Sequence, residues 1–220
     1  MNKIFLEDCR ETLKRDLEYD YVWMSFPEFG ELGWEPKENV QRYKDFFYEI
    51  ASQLKPKKHL VTIATTDRKS NRQVYQKHVW FANIMEELGY PCKAQQIWHK
   101  GRTFYTSLDY LFVQTFGTGS FVKHATKYGN SLCYDDIWAC KPQNYKNFRR
   151  GVPEEVIERC LYQFTREGDT VFNPMMGAGT CAVAAVNLSR NYIGAEIDEE
   201  IWKLSQERLT SLMEFFNEDN

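Results

Sequence analysis

The sequence predicts an α/β fold, a mainly parallel sheet with helices on both faces. Two observations carry this. Apolar runs of strand length alternate along the chain with longer segments whose apolar residues recur at helical spacing. One C-terminal unit also reads strand, glycine turn, small-residue helix, strand, carboxylate: Val171-Phe172-Asn173-Pro174-Met175-Met176-Gly177-Ala178-Gly179-Thr180, then Cys181 to Leu188, then Asn191-Tyr192-Ile193-Gly194-Ala195-Glu196. With 220 residues, 43% of them hydrophobic, one large core is affordable and a separate second domain is not expected, so residues 1–220 read as a single domain.

The elements follow in order. Asn2 to Leu6 is a short strand that runs into Glu7-Asp8-Cys9. Arg10 to Leu17 places Leu13 and Leu17 at helical spacing. Tyr21-Val22-Trp23-Met24 is an apolar β-run that breaks at Ser25-Phe26-Pro27-Glu28-Phe29-Gly30, and a Gly/Pro loop containing Trp34 follows. Val40 to Leu54 aligns Tyr43, Phe46, Phe47, Ile50 and Leu54 on one helical face. His59 to Ala64 reads as a buried strand, Thr65 to Gln73 as a polar, basic connection, and Tyr75 to Leu88 as a helix closed by Gly89. Ala94 to Trp98 and Tyr110 to Phe116 are strands, and Gly117 to Arg150 is irregular. Pro153 to Phe164 is a helix with acids in its first turn. A charged helix from Glu199 to Phe216 ends the chain.

Composition narrows the function. A net charge of −3 excludes a wholly basic, histone-like binder but permits local basic patches. Such residues concentrate in loops (Arg68, Lys69, Arg72, Lys100, Arg102, Lys123, Lys127, Lys146, Arg149, Arg150), interleaved with aromatics, a mixture that suits phosphates and unstacked bases as well as plain solvation. The six cysteines form no C-x-x-C pair, so no metal site is expected. Scattered thiols, no secretory leader and no apolar run of roughly 20 residues point to a cytoplasmic protein without a membrane segment.

Three segments carry chemistry. Gly177-x-Gly179 alone fits any tight strand–helix turn. Pro174 before it, the small-residue helix after it and an acid 19 positions beyond Gly177 make it a nucleoside-cofactor site, with glycines for close approach, an electropositive helix start and a carboxylate for ribose hydroxyls. No G-K-[ST] follows, which argues against the phosphate loop of nucleotide hydrolases. Ser25-Phe26-Pro27-Glu28 ends a strand, where open α/β sheets bind ligands. Asp8 after the first strand either caps a helix or meets a ligand.

In order, these parts resemble the S-adenosylmethionine-dependent DNA amino-methyltransferases (cytosine-N4 and adenine-N6), in the circularly permuted β-type arrangement with the catalytic half first. Glu7-Asp8-Cys9 is similar to the family's G-D-C segment and Ser25-Phe26-Pro27-Glu28 to its acid-or-Ser plus P-P-aromatic motif. Leu54-Lys55-Pro56, Trp98-His99-Lys100, Pro153 to Arg159, Gly168 to Thr180 and Arg190 to Glu196 match further motifs. The resemblance spans nearly the whole chain. It implies a Rossmann-like methyltransferase fold divided into a catalytic half (1–116), a short target-recognition insert (117–150) and a cofactor half (151–220). It implies a DNA partner whose target base is extruded from the stack, with RNA or a nucleotide as the alternative substrate, and a monomer or homodimer.

The resemblance also implies roles. Ser25 and the Phe26 carbonyl would accept hydrogen bonds from the target amino group, within a catalytic segment Ser25, Phe26, Pro27, Glu28 and Phe29. Asp8, Asn173, Pro174, Met175, Gly177, Gly179, Thr180 and Glu196 would bind S-adenosylmethionine, with Asp8 at the adenine and Glu196 at the ribose. Ser25 is more similar to the cytosine-N4 enzymes. This chain departs from the pattern at Phe26 (family Pro), Glu28 (family aromatic), Asn173 (family acid) and Met175 (family aromatic). Base stacking is therefore expected from Phe26, Phe29 or Trp34. A silent site or an altered substrate is the competing expectation.

Overall fold

The structure, a computed structural model, describes residues 2–100, 109–122, 135–141 and 151–218. Its centre is an eight-stranded sheet in the order β1-β10-β9-β2-β3-β7-β6-β8. The strands are β1 (Lys3–Leu6), β2 (Tyr21–Ser25), β3 (Leu60–Thr65), β6 (Cys92–His99), β7 (Tyr110–Gly117), β8 (Ile137–Trp138), β9 (Thr170–Asn173) and β10 (Asn191–Glu196). Only β7, among the strands of this sheet, runs against the rest. β4 (Arg68–Ser70) and β5 (Gln73–Tyr75) form a separate antiparallel hairpin. The helices are α1 (Cys9–Leu13), α2 (Pro36–Ala51), α3 (Lys77–Glu87), α4 (Glu154–Phe164), α5 (Thr180–Asn187) and α6 (Glu199–Glu218).

The strand sequences explain the layers. In β2, Tyr21 and Trp23 enter one core cluster, while Val22 and Met24 enter the other. A strand covered on both faces reads as a continuous apolar run, which is what Tyr21 to Met24 and Leu60 to Ala64 do. The first cluster takes the buried residues of α4 and α5 (Val156, Ile157, Leu161, Ala182, Val183); the second takes those of α2 and α3 (Tyr43, Phe47, Ile50, Phe81, Met85). Both halves of the chain thus add strands to one sheet. No helix among the described residues is long and apolar enough to cross a membrane.

Four local expectations need correction. The first helix ends at Leu13, not Leu17; Leu17 packs against the second core from irregular backbone, so its burial needs no helix. The second begins at Pro36, four residues before Val40, because proline's missing N–H costs nothing in a first turn. The basic connection after Thr65 folds into the β4–β5 hairpin, whose turn residues Asn71 and Arg72 both have positive φ (50° and 64°). That is the two-residue hairpin geometry without the glycine that usually signals it. Tyr75 accordingly belongs to β5, and α3 starts only at Lys77. The segment 117–150 lies largely outside the described residues; its described part contributes β8, held at the sheet edge by Ile97↔Ile137 and Trp98↔Trp138 pairing.

Gly194 in β10 is a steric requirement. A Cβ there would lie 2.6 Å from the Asn173 carbonyl oxygen, backbone that cannot yield cheaply. Gly194→Ala is expected to cost about 1–3 kcal/mol of stability through overpacking, read as a lower urea midpoint at unchanged m-value.

Candidate functional site

β2 and β9 lie side by side and parallel, with Tyr21 opposite Val171 and Val22 opposite Phe172. From β9 the chain proceeds to β10 on one side; from β2 it proceeds to β3 on the other. This is a topological switch point, and such points open a crevice outside the carboxyl ends of the strands. A cavity of about 770 Å³ occupies it, bordered by Asp8, Ser25, Pro27, Asn173, Gly177 and Glu196 among others. The size is that of a pocket for a ligand of several hundred daltons.

The glycine turn is built on backbone bonds. Asn173 closes β9, and its side-chain Oδ1 accepts from Met175 N at 3.0 Å. Met176 N donates to the Ala195 carbonyl at 2.7 Å, tying the turn to β10. Gly177 and Gly179 take positive φ (58° and 79°), and Gly179 precedes the first turn of α5. A Cβ on Gly179 would come within 3.0 Å of Ser205 on α6, so the turn also requires glycine for packing. Arg208 donates to both the Ala178 carbonyl and Thr180 Oγ1 at 3.0 Å and pairs with Glu154, clamping the outside of the turn.

Glu196 does two jobs. One carboxylate oxygen accepts from Gly177 N at 2.8 Å and the other from Asp198 N at 2.9 Å. Each oxygen retains an acceptor position, and the residue borders the cavity. Asp8 arrives from the neighbouring strand, because β1 pairs with β10 in a register that sets Leu6 beside Glu196. It caps α1 through Arg10 N at 2.9 Å and holds the Arg10 guanidinium with both oxygens. That guanidinium keeps the Asp8 carboxyl below its ordinary range. Asp8 therefore caps α1 and also borders the cavity.

The segment after β2 is pinned from several sides. Ser25 and Pro27 border the cavity. Phe26 is 3% exposed and packs among Tyr43, Phe46, Phe47 and Phe81. Phe29, 1% exposed, stacks on Tyr43 with ring centroids 4.1 Å apart. The Tyr43 hydroxyl donates to the Pro27 carbonyl at 2.7 Å, and Glu28 pairs with Lys77, whose side chain is fully buried. Burial pulls the Lys77 ammonium below its ordinary pKa while Glu28 opposes the shift.

Of the anticipated site residues, the cavity brings together Asp8, Ser25, Pro27, Asn173, Pro174, Met175, Gly177, Thr180 and Glu196. Phe26, Glu28 and Phe29 are not among the residues that border it; an aromatic core holds the two rings and buried Lys77 holds Glu28. Of the three residues expected to stack on a base, only Trp34 borders the cavity, with the Arg42 guanidinium 4.3 Å from its ring centroid. Gly179 acts through packing rather than through the cavity wall. Sequence reasoning missed Arg10, Tyr43, Lys77 and Arg208, which no motif marks because each is recruited across elements. Of the basic loop residues, Arg102, Lys123, Lys127, Lys146, Arg149 and Arg150 lie outside the described residues.

Comparison with known proteins agrees with this geometry. A family model described as DNA methylase matches residues 12–207. The Type II methyltransferase M.MjaI of Methanocaldococcus jannaschii is 26% identical over 181 residues, covering 68% of this chain and 60% of the relative's own length. The chain thus spans well under the full length of that relative. Among solved structures, the cytosine-N4-specific PvuII DNA methyltransferase superposes with a TM-score of 0.76 at 16% identity, covering 93% of this chain and 85% of that one. The M1.HpyAVI–SAM complex does so with a TM-score of 0.69 at 20% identity, covering 95% and 99%.

The Asp8–Arg10 pair has a pH signature. A carboxyl whose folded pKa is depressed contributes stability that is present above its unfolded pKa, about 4, and lost as pH falls through the folded value. Arg10→Ala is expected to raise the Asp8 pKa toward 3.8, incompletely because the Arg10 backbone bond survives, and to move acid unfolding to higher pH. Carboxyl NMR titration reads the first effect and circular dichroism the second.

Proposed function

Because this chain belongs to the DNA methylase family, we propose that it is an S-adenosylmethionine-dependent methyltransferase acting on the exocyclic amino group of a DNA base, cytosine N4 or adenine N6. The observation that carries the proposal is the meeting of Ser25 and Pro27 with Asp8, Gly177 and Glu196 around one cavity at the switch point. The donor set fits the cofactor. Two carboxylates suit adenine and ribose donors, and a turn with positive φ at Gly177 and Gly179 lets backbone approach the methionine portion. When bound, S-adenosylmethionine supplies an electrophilic methyl group.

The chain's own part is orientation. Ser25 Oγ and the Phe26 carbonyl, at the mouth of β2, accept hydrogen bonds from the amino group and aim the nitrogen lone pair toward the methyl. The Phe26 ring, wedged among four aromatics, fixes that carbonyl, and Tyr43 fixes the next one through Pro27. Such alignment is worth orders of magnitude because a misplacement of about 1 Å costs roughly 10²-fold. The amino nitrogen would gain the methyl as the cofactor's sulfonium–methyl bond breaks, leaving a neutral thioether, and would release one proton to solvent. Trp34 offers the extruded base a stacking face in place of the Glu28 that occupies the family's aromatic position.

A second reading, transfer to RNA or a nucleotide or a silent site, draws on the same Glu28 substitution, since an ion pair to buried Lys77 replaces the expected stacking ring. Two experiments decide. Calorimetry should give micromolar S-adenosylmethionine binding that Glu196→Ala abolishes; absence of binding by the unaltered chain would sink both methyl-transfer readings. Tritiated-methyl transfer to DNA, RNA and nucleotides should favour DNA. There Ser25→Ala is expected to lower kcat by about 10²-fold with cofactor affinity unchanged. Trp34→Ala should raise the KM for DNA between about 5- and 100-fold, the loss of one stacked base. A Ser25→Ala rate equal to wild type excludes Ser25 from the chemistry.

A further inference from the structure

The β4–β5 hairpin carries cations that form no ion pair among the described residues. Arg68, Lys69 and Arg72 fall within five residues of a chain whose net charge is −3. No carboxylate among the described residues pairs with their side chains, and Arg68 Nε has no hydrogen-bond partner there. Lys69, Arg72, Gln73 and Val74 are exposed.

The hairpin's position gives the charge a direction. Ala64 is the register partner of Ser25, and the hairpin begins four residues later, so it leaves the sheet at the edge where the cavity opens. Its root is rigid. Asp67, 2% exposed, accepts from His78 N at 3.3 Å and pairs with His78 Nδ1 at 2.8 Å; the His78 ring stacks on Phe112 at 3.8 Å. Thr66 Oγ1 donates to the Tyr110 carbonyl at 3.3 Å and receives Lys100 Nζ at 2.7 Å. At the other end, buried Tyr75 meets Phe29 edge-on at 6.3 Å, which joins the hairpin to the segment that follows Ser25.

Resting on the reading of the cavity as a DNA methylation site, we infer that this hairpin is a phosphate-backbone clamp, which grips duplex DNA beside the extruded base through Lys69 and Arg72. A two-stranded ribbon with basic side chains and no carboxylate partners among the described residues matches a polyanion in charge. Contacts of this kind position the duplex and carry no sequence information. The hairpin is therefore an anchor, independent of base readout.

The test is fluorescence anisotropy with a labelled duplex across a sodium chloride series. It compares the wild-type chain, Lys69→Gln/Arg72→Gln, and Lys57→Gln as a control at the opposite end of β3. Each phosphate contact contributes about 0.9 to the slope of log affinity against log salt. The double variant is expected to bind at least about 10-fold more weakly at low salt, with a slope shallower by about 1.8. The melting temperature and the S-adenosylmethionine affinity should be unchanged, and the control should match wild type. A wild-type chain that binds and methylates DNA, beside a double variant of equal affinity and slope, overturns the clamp and leaves the methylation reading intact. A wild-type chain with no salt-dependent DNA binding overturns both. A loss confined to an RNA duplex probe overturns DNA as the occupant.

Discussion

The parallel pairing of β2 with β9 is the constraint on which the rest depends. It joins segments 150 residues apart, and it is reinforced at its base. Thr170 N donates to Asp20 Oδ2 at 2.8 Å, Asp20 N donates to the Thr170 carbonyl at 2.9 Å, and Lys58 pairs with Asp169. The Tyr19 ring lies 4.6 Å from that of Phe172 on the face covered by α2 and α3. Remove this seam and there are two half-sheets, each with a loop at the end of a strand and neither with a crevice. Every feature of the cavity follows from the seam, because the chain departs from it in opposite directions and leaves the two strand ends uncovered.

The two loops that meet there are held by different physics. The glycine turn is a backbone structure: its amides reach Ala195 and Glu196, and its glycines supply conformations and clearances that side chains would deny. The segment after Ser25 is a side-chain structure, fixed by an aromatic cluster and by the pairing of half-exposed Glu28 with buried Lys77. Such a pair is weak evidence for net stability, yet removing Glu28 leaves the buried Lys77 ammonium uncompensated, a loss of about 3–5 kcal/mol. That asymmetry makes the buried Lys77 ammonium dependent on Glu28.

Much of the fold was legible in the sequence. Strands buried on both faces announce themselves as apolar runs, and helices such as α4 announce themselves by period, proline and first-turn acids. The glycine turn and its acid were equally legible, since Gly177, Gly179 and Glu196 are close in sequence and their spacing is a local property of one strand–turn–helix–strand unit. The β4–β5 hairpin was not, because Asn71 and Arg72 adopt positive φ without a glycine to mark it. The one-turn α1 was overextended for a similar reason: Leu17 obeys helical spacing but is buried by contact with the second core, not by helical backbone.

By itself, then, the sequence determined the layer architecture, the permuted order of parts and the residues of the glycine turn, all of which are written in short-range patterns of polarity and chain flexibility. Tertiary structure alone decided which side chains face the cavity. Phe26 and Phe29 have every local credential of stacking residues, and Glu28 shares their segment, yet Tyr43, Phe81 and Lys77 draw all three away. Trp34, marked only by a loop, borders the cavity instead. Burial is a competition among residues distant in sequence, settled by how much apolar area and how much charge each placement removes from water, and no local pattern contains that comparison.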